Sequence, residues 1–286
     1  EDQRKELERK SYEVLGKLTF TEDLNLRSDV QSMILAMSGE DRVTTLVEMM
    51  KFYETEMDRQ EGYRSRPGVD RLQPALIFFA EALPKTPYSQ ELEYRLYKSS
   101  NRIVIYDPDV SNKFVAASGT ATGAIVDYLD RVSEPGKKPA PEHPLLAQAM
   151  YESLRNPNDS IRMSAALGIK AEGAKHVEQR HIDRANSVFF HETKSAVESL
   201  NFADKYEKLS DAEMLKSWKH VENLLKLSKQ PENGYSMTYA RAKQLELSGD
   251  KPEQLVPLYE RLAELSQKDG AENQAKYFTQ KASDLN

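Results

Sequence analysis

Residues 156–169 read NPNDSIRMSAALGI, and the way this stretch folds decides the class of the whole chain. Asn158 or Asp159 can cap a helix, because a short polar side chain accepts from the free N–H groups of a first turn. Ile161, Ala165 and Leu167–Gly168 follow at helical spacing, and Arg162 sits one turn after Asn158. The pattern looks like the second helix of a HEAT-type repeat. It predicts an all-α chain built from helix pairs.

Outward from this stretch, helical signals dominate. Residues 2–18 carry Leu7, Tyr12, Val14, Leu15 and Leu18 among many charges, an amphipathic pattern. Thr21–Glu22–Asp23 can open a second helix with Leu24, Leu26, Val30, Met33, Ile34 and Met37 on its apolar side. Ser38–Gly39 ends it, and Glu40–Asp41 opens a third through Val43, Leu46, Val47, Met50 and Tyr53. LIFFAEAL, 76–83, reads as a short core helix, and Ser89 caps another through Leu92, Tyr94, Leu96 and Tyr97. RIVIY, 102–106, is the best strand candidate but has no evident partner, so it reads as the buried end of that helix. In the Ala-rich stretch after Asp107, Gly119 and Gly123 predict a tight helix crossing; Lys113 and Asp127 make it too polar for a membrane.

SEPGKKPAPEHP, 133–144, holds four prolines, which no helix or central strand tolerates. It divides the expectation into an N-terminal helical domain, 1–132, a Pro-rich linker, and a C-terminal helical domain, 145–286. From His176 to Leu209 there is neither Pro nor Gly, and Ile182, Ala185, Phe189, Ala196, Leu200 and Ala203 recur at spacings of three, four and seven. That heptad-like seam predicts one long helix of the kind found in a stalk or bundle. YARAKQLELSGDKPEQLVPLYERLAEL, 239–265, resembles a tetratricopeptide unit: Tyr239, Ala240 and Leu245 on one helix, Gly249–Asp250 at the turn, and Leu255, Tyr259, Leu262 and Ala263 on the other. A last helix, 271–284, offers Ala275, Phe278 and Ala282 as a capping face.

Composition narrows the function. The chain has 286 residues, 30% of them charged, and a net charge of −6, so it has no overall basic field for nucleic acid. Mean hydropathy is −0.69, which favours an elongated helical protein with more residues facing water per buried residue. No cysteine is present, which excludes disulfides, thiolate catalysis and Cys-type zinc sites. No apolar run approaches the ~20 residues of a membrane span. The chain opens at Glu1 with neither Met nor an apolar leader; a removed signal peptide or a trimmed chain is the expectation.

Candidate chemistry is sparse. His176 and His181 are five apart, where metal pairs use three or four, and HETKS, 191–195, has Ser195 where HExxH needs its second His. His143, His191 and His220 suggest no ligand set either. The carboxylate pairs Asp127/Asp130 and Glu54/Asp58 read as charged surface. No nucleophile elbow, phosphate loop or dinucleotide fingerprint occurs. No catalytic residue, metal site or cofactor is therefore expected.

Candidate contact residues are Tyr63, Arg64 and Arg66 in the loop EGYRSRPGVDRLQP, 61–74, because Tyr and Arg combine contact area with directed hydrogen bonds. Trp218, the single Trp, in KSWKH, is either core or a surface anchor between basic residues.

Taken together, EDQRKELERKSYEVLGKL, 1–18, the segment SGEDRVTTLVEMMKFYETEMDRQEGYRSRPGVDRLQPALIFFAEAL, 38–83, and the helical C-terminal part resemble the flagellar-coiling, filament-sheath proteins of spirochaete periplasmic flagella. The resemblance implies a non-enzymatic exported subunit in the periplasm. With other sheath proteins it would coat the core filament and impose its coiled shape for motility, self-association in the assembly included. The alternative is a helical-repeat scaffold that binds a peptide or protein partner in the groove of its helix pairs; a helical enzyme is a third.

Overall fold

The computed structural model describes residues 2–60, 72–103, 112–131, 139–171, 173–206, 209–249 and 252–285. Among the described residues the chain is all-helical, with thirteen α-helices and no strand. They are α1 (Asp2–Leu18), α2 (Leu24–Ala36), α3 (Gly39–Gln60), α4 (Gln73–Ala82), α5 (Gln90–Ile103), α6 (Asn112–Asp130) and α7 (Leu146–Ser153), then α8 (Asp159–Ile169), α9 (Gln179–Tyr206), α10 (Asp211–Leu227), α11 (Tyr235–Ser248), α12 (Pro252–Lys268) and α13 (Glu272–Leu285). They pack as two compact units, Glu1–Ala185 and Asn186–Asn286.

Local sequence fixes the helix starts. Asp23 caps α2 by accepting from the N–H groups of Asn25 and Leu26. Asn158 caps α8 by accepting from Ile161 N–H at 3.1 Å. Arg162 then reaches back to the carbonyls of Asn156 and Pro157 at 2.7 and 3.1 Å and pairs with Asp159. The stretch 156–169 is thus a locked turn followed by a helix whose Ile161, Ala165, Ala166 and Ile169 are buried. The end of α2 is closed from a distance: Arg42 on α3 donates to the carbonyls of Leu35 and Met37 at 2.8 and 2.9 Å, supplying donors that the last turn lacks.

In the first unit α3 packs on α1 and α5, α4 on α6, and α7 on α5 and α8. Leu46, Met50, Tyr53, Phe78, Phe79, Leu96 and Tyr97 form its buried interior. Glu54 is not the charged surface that the sequence suggests. It is 4% exposed and takes hydrogen bonds from Arg95 at 3.0 Å and Lys98 at 2.8 Å, which binds α3 to α5. Two further expectations are corrected here. On α2 only Val30 and Ile34 are buried, whereas Leu24, Leu26 and Met33 face solvent. On α6 a Cβ placed on Gly119 or Gly123 meets nothing within 4 Å among the described residues, so these glycines mark open surface there and none of the described helices crosses at them.

The division between the units also differs from the one that the prolines suggest. Residues 132–138 and 104–106 lie outside the described residues. The rest of the Pro-rich segment is fastened to α5: Gln90 donates to Ala140 O and accepts from the N–H groups of Glu142 and His143, all within 2.9 Å, and His143 Nε2 meets Glu91 at 2.5 Å. Ser153 and Asn156 continue the seam to Tyr97 and Ser100. The helices that follow the segment therefore share the core of those before it, and the boundary moves to Ala185.

The long helix is present as α9, 28 residues, with Ala185, Phe189, Leu200 and Ala203 of the expected seam buried. It starts at Gln179, three residues after His176, which adopts a left-handed φ of 60° that no α-helix contains. His181 in its first turn accepts from Glu178 N–H through Nδ1 at 3.1 Å and lies against the ring of Tyr151. Burial, together with the Arg180 charge and against the pull of Glu178, holds its pKa below the ordinary imidazole value. The unfolded chain thus takes up this proton first as pH falls below about 6.5, and the fold loses stability there. His181→Phe keeps a ring against Tyr151 and has no proton to bind. We expect the stability of the unmodified chain, relative to this variant, to decline between pH 7 and pH 5, by no more than about 1.4 kcal/mol per pH unit. Parallel pH profiles from urea denaturation would refute it.

In the second unit α10 packs on α11, α11 on α12 and α12 on α13. A capping box starts α10: Ser210 N–H donates to Glu213 at 3.0 Å, and Glu213 N–H donates to Ser210 Oγ at 3.4 Å. Gly249, at φ 67°, ends α11 with its N–H on Leu245 O, the turn expected between the paired helices. Ala242, Leu255, Tyr259, Leu262, Phe278 and Ala282 form one core of this unit. Leu200, Ala203, Met214, Trp218, Val221, Leu225, Met237 and Ala240 form the other.

Candidate functional site

Of the residues that the sequence offers as contacts, Trp218 alone lies among the described residues. Tyr63, Arg64 and Arg66 lie outside the described residues. Trp218 is 1% exposed, so its surface-anchor role is corrected. Its position on α10 is one turn from both Met214 and Val221, which places it on the apolar stripe of that helix. Its ring meets Tyr239 edge-on at 5.5 Å, 78° between planes.

That contact leads to the feature with most recognition chemistry in the second unit. Beside Tyr239 lies an open cleft of about 610 Å³ lined from α9, α11, α12 and α13. Its floor is aromatic. Tyr235 and Tyr239, one turn apart on α11, stack at 6.0 Å and 7°, and both meet Phe278 edge-on at 6.3 Å. Tyr259 stacks on Phe278 at 6.1 Å, and Tyr277 meets it edge-on at 5.1 Å. Offset and edge-to-face pairs of this kind hold one another in place. The floor is therefore assembled from three helices and needs no ligand to form.

The ionised groups of the lining, Lys243 and Glu246, form one cluster with the adjoining Lys281. Glu246 accepts from Tyr259 Oη, from Lys281 Nζ at 2.9 Å and from Lys243 Nζ at 3.1 Å. Burial alone would raise the Glu246 carboxyl; the bonds from Tyr259 and Lys281 and the nearby Lys243 outweigh it and hold the group below the usual carboxylate range. Burial acts to lower Lys281, and Glu246 reverses this, keeping the ammonium above its ordinary value. Lys281 lies over the rings of Tyr259 and Tyr277 at 5.5 and 5.8 Å, and Lys243 over Tyr239 at 5.9 Å. The walls carry Asn201 from α9, Ser236 from α11 and Asn273 and Gln274 from α13. Rings, amides and ammonium groups bind and orient. The one carboxylate of the lining is held by three donors.

Sequence periodicity places Tyr239, Tyr259 and Phe278 on the facing sides of the helix pair and its cap. It misses Tyr235, although YSMTY, 235–239, sets two Tyr at one-turn spacing. Asn201, Asn273 and Gln274 carry no signal of their own, since each is an ordinary polar residue of an amphipathic helix.

Elsewhere among the described residues no three His, Asp or Glu side chains are placed to hold a metal ion, and no helix is long and apolar enough to cross a membrane. In the first unit Leu7, Val14, Leu24, Leu26 and Met33, all on α1 and α2, are 41–69% exposed. Comparisons with protein-family models, with curated proteins and with solved structures find no match to this chain.

Proposed function

We propose that this chain is a non-enzymatic structural subunit of a periplasmic filament sheath, which works by contacts with other sheath proteins and with the core filament. The observation that carries the reading is the cleft of the second unit. It offers stacked rings, side-chain amides and a satisfied Lys–Glu cluster, the chemistry of recognition. The exposed apolar side chains of α1 and α2 add to it, because such residues are available for burial in an assembly. The sequence resemblance to filament-sheath proteins supplies the kind of assembly.

The mechanism is additive. Each subunit contributes modest interfaces, and these sum along a polymer because neighbouring subunits hold one another in place. Contacts on one side of a filament, repeated by its symmetry, favour one curvature over the straight form. The peptide-sized cleft also fits the reading of an adaptor that binds a partner at low copy number, and stoichiometry separates the two.

The test is genetic and biochemical. Deleting the gene should leave purified periplasmic flagella straightened, and in unmodified cells the chain should sediment with filaments in amounts comparable to other coat proteins. Normally coiled filaments in the deletion strain would overturn the sheath reading, and binding at a few copies per cell would favour the adaptor.

A further inference from the structure

We propose that the cleft between α9, α11, α12 and α13 receives an extended acidic segment of a neighbouring protein, in which a proline or aromatic ring lies next to a carboxylate. The inference rests on the partner-binding reading above and names the partner's chemistry.

Three observations carry it. The floor presents the rings of Tyr235, Tyr239 and Tyr277, backed by the buried Tyr259 and Phe278, a surface that an inserted flat ring can stack on or meet edge-on. On the walls, Asn201, Ser236, Asn273 and Gln274 bond to no other described side chain or backbone group. A side-chain amide offers two donors and an acceptor, the complement of a peptide group. An extended backbone has unpaired N–H and C=O groups along both edges to meet them, whereas a helix has spent its own internally. The segment that fits is therefore extended.

Charge selects among extended segments. Two cations, Lys243 and Lys281, flank the single carboxylate Glu246, in a chain whose net charge is −6. Lys281 has three N–H donors: Glu246 takes one and the Tyr259 hydroxyl another, and the side chain is 37% exposed, which leaves a donor for a partner. Lys281 adjoins the lining and does not belong to it: its ammonium sits over the lining residues Tyr259 and Tyr277, within reach of a carboxylate on a partner whose ring lies on the floor. A basic segment would set its charge against both lysines.

The probe is a fluorescein-labelled peptide, Gly-Ser-Asp-Pro-Tyr-Asp-Pro-Ser-Gly-amide, read by anisotropy against the full chain, with a counterpart in which both Asp are Lys. Emission of the single Trp218, whose ring touches the cleft residue Tyr239, reports where binding occurs. We expect saturable binding of the acidic peptide with a change in Trp218 emission, and binding of the lysine peptide at least about tenfold weaker. Lys281→Gln should weaken the acidic peptide about tenfold in a chain still folded at the assay temperature, and Lys281→Arg, which keeps the charge beside Glu246, should restore it. Lys276→Gln, on another face of α13, serves as the control. Equal binding of the two peptides, binding of neither, or no effect of Lys281→Gln overturns the inference. A Lys281→Gln chain that fails to bind peptide yet still sediments with filaments overturns the cleft's place in the sheath and leaves the subunit reading standing. A chain that binds the acidic peptide and never joins filaments overturns the sheath reading alone.

Discussion

Trp218→Ala should destabilise the chain by about 3–5 kcal/mol, the cost of removing a large buried aromatic side chain and leaving its cavity. The ring is 1% exposed and packs among Leu200, Ala203, Met214, Val221, Leu225, Met237 and Ala240, so it joins residues of α9, α10 and α11. Partial collapse of these neighbours sets where in the range the loss falls. A surface Trp would behave otherwise, with a change within about 0.5 kcal/mol. Urea denaturation followed by far-UV circular dichroism decides between them without needing the Trp signal. Two units that unfold separately give two transitions, and the loss then belongs to the one that the second unit contributes. Trp218→Phe should cost markedly less, because it keeps most of the apolar contact and gives up no hydrogen bond: Nε1–H has no acceptor among the described residues. The substitution has a second consequence. Trp218 supports Tyr239 edge-on, and Tyr239 is part of the cleft floor. Loss of the ring should therefore weaken peptide binding as well as stability, and Trp218→Phe should retain most of both.

What can be read from the sequence here is what local chemistry determines. Asp23, Asn158 and Ser89 announce helix starts because a cap is a contact between residues two or three apart. The seam through Ala185, Phe189, Leu200 and Ala203 is legible because helical period alone sets which residues share a face. Periodicity does not say what a face meets. Leu24, Leu26 and Met33 have the same spacing signal as Val30 and Ile34, and only the last two find a core. Glu54 looks like surface beside Asp58 because its partners Arg95 and Lys98 lie 41 and 44 residues further along. The Pro-rich segment shows where a helix cannot run, and a break in helix is not a break in packing: Gln90 fastens its far end to α5. The cleft is the extreme case. Its rings and amides come from four helices, and the walls from residues whose types are commonplace on any polar helix face.

Glycine gives the sharpest test of that distinction, since the same residue at three positions in two helices should respond in opposite ways. In α6, Gly119→Ala and Gly123→Ala should each stabilise the chain by about 0.5–1 kcal/mol. Alanine restricts the unfolded chain and suits a helix interior, and its methyl meets nothing within 4 Å among the described residues at either site. In α1 the same exchange gains as much from helix propensity, about 1 kcal/mol, but the new carbon would lie 2.8 Å from Met49 N and 3.2 Å from Glu48 C and Met49 Cα. Those are backbone atoms of α3 and cannot rotate away, so α1 has to shift bodily off α3. Overpacking of that kind costs about 1–3 kcal/mol, which exceeds the propensity gain over most of its range. Gly16→Ala should thus be destabilising in net, while its two counterparts raise the urea midpoint. Tyr12 gives an independent readout of the shift, because its hydroxyl donates to Asp41 of α3 at 2.6 Å and its pKa is raised by that bond. In the Gly16→Ala chain the Tyr12 hydroxyl should titrate closer to its ordinary value. A stabilised Gly16→Ala chain would mean that α1 does not press on α3 at this point, and a destabilised Gly119→Ala chain would mean that α6 does carry the helix crossing that its GxxxG spacing suggests.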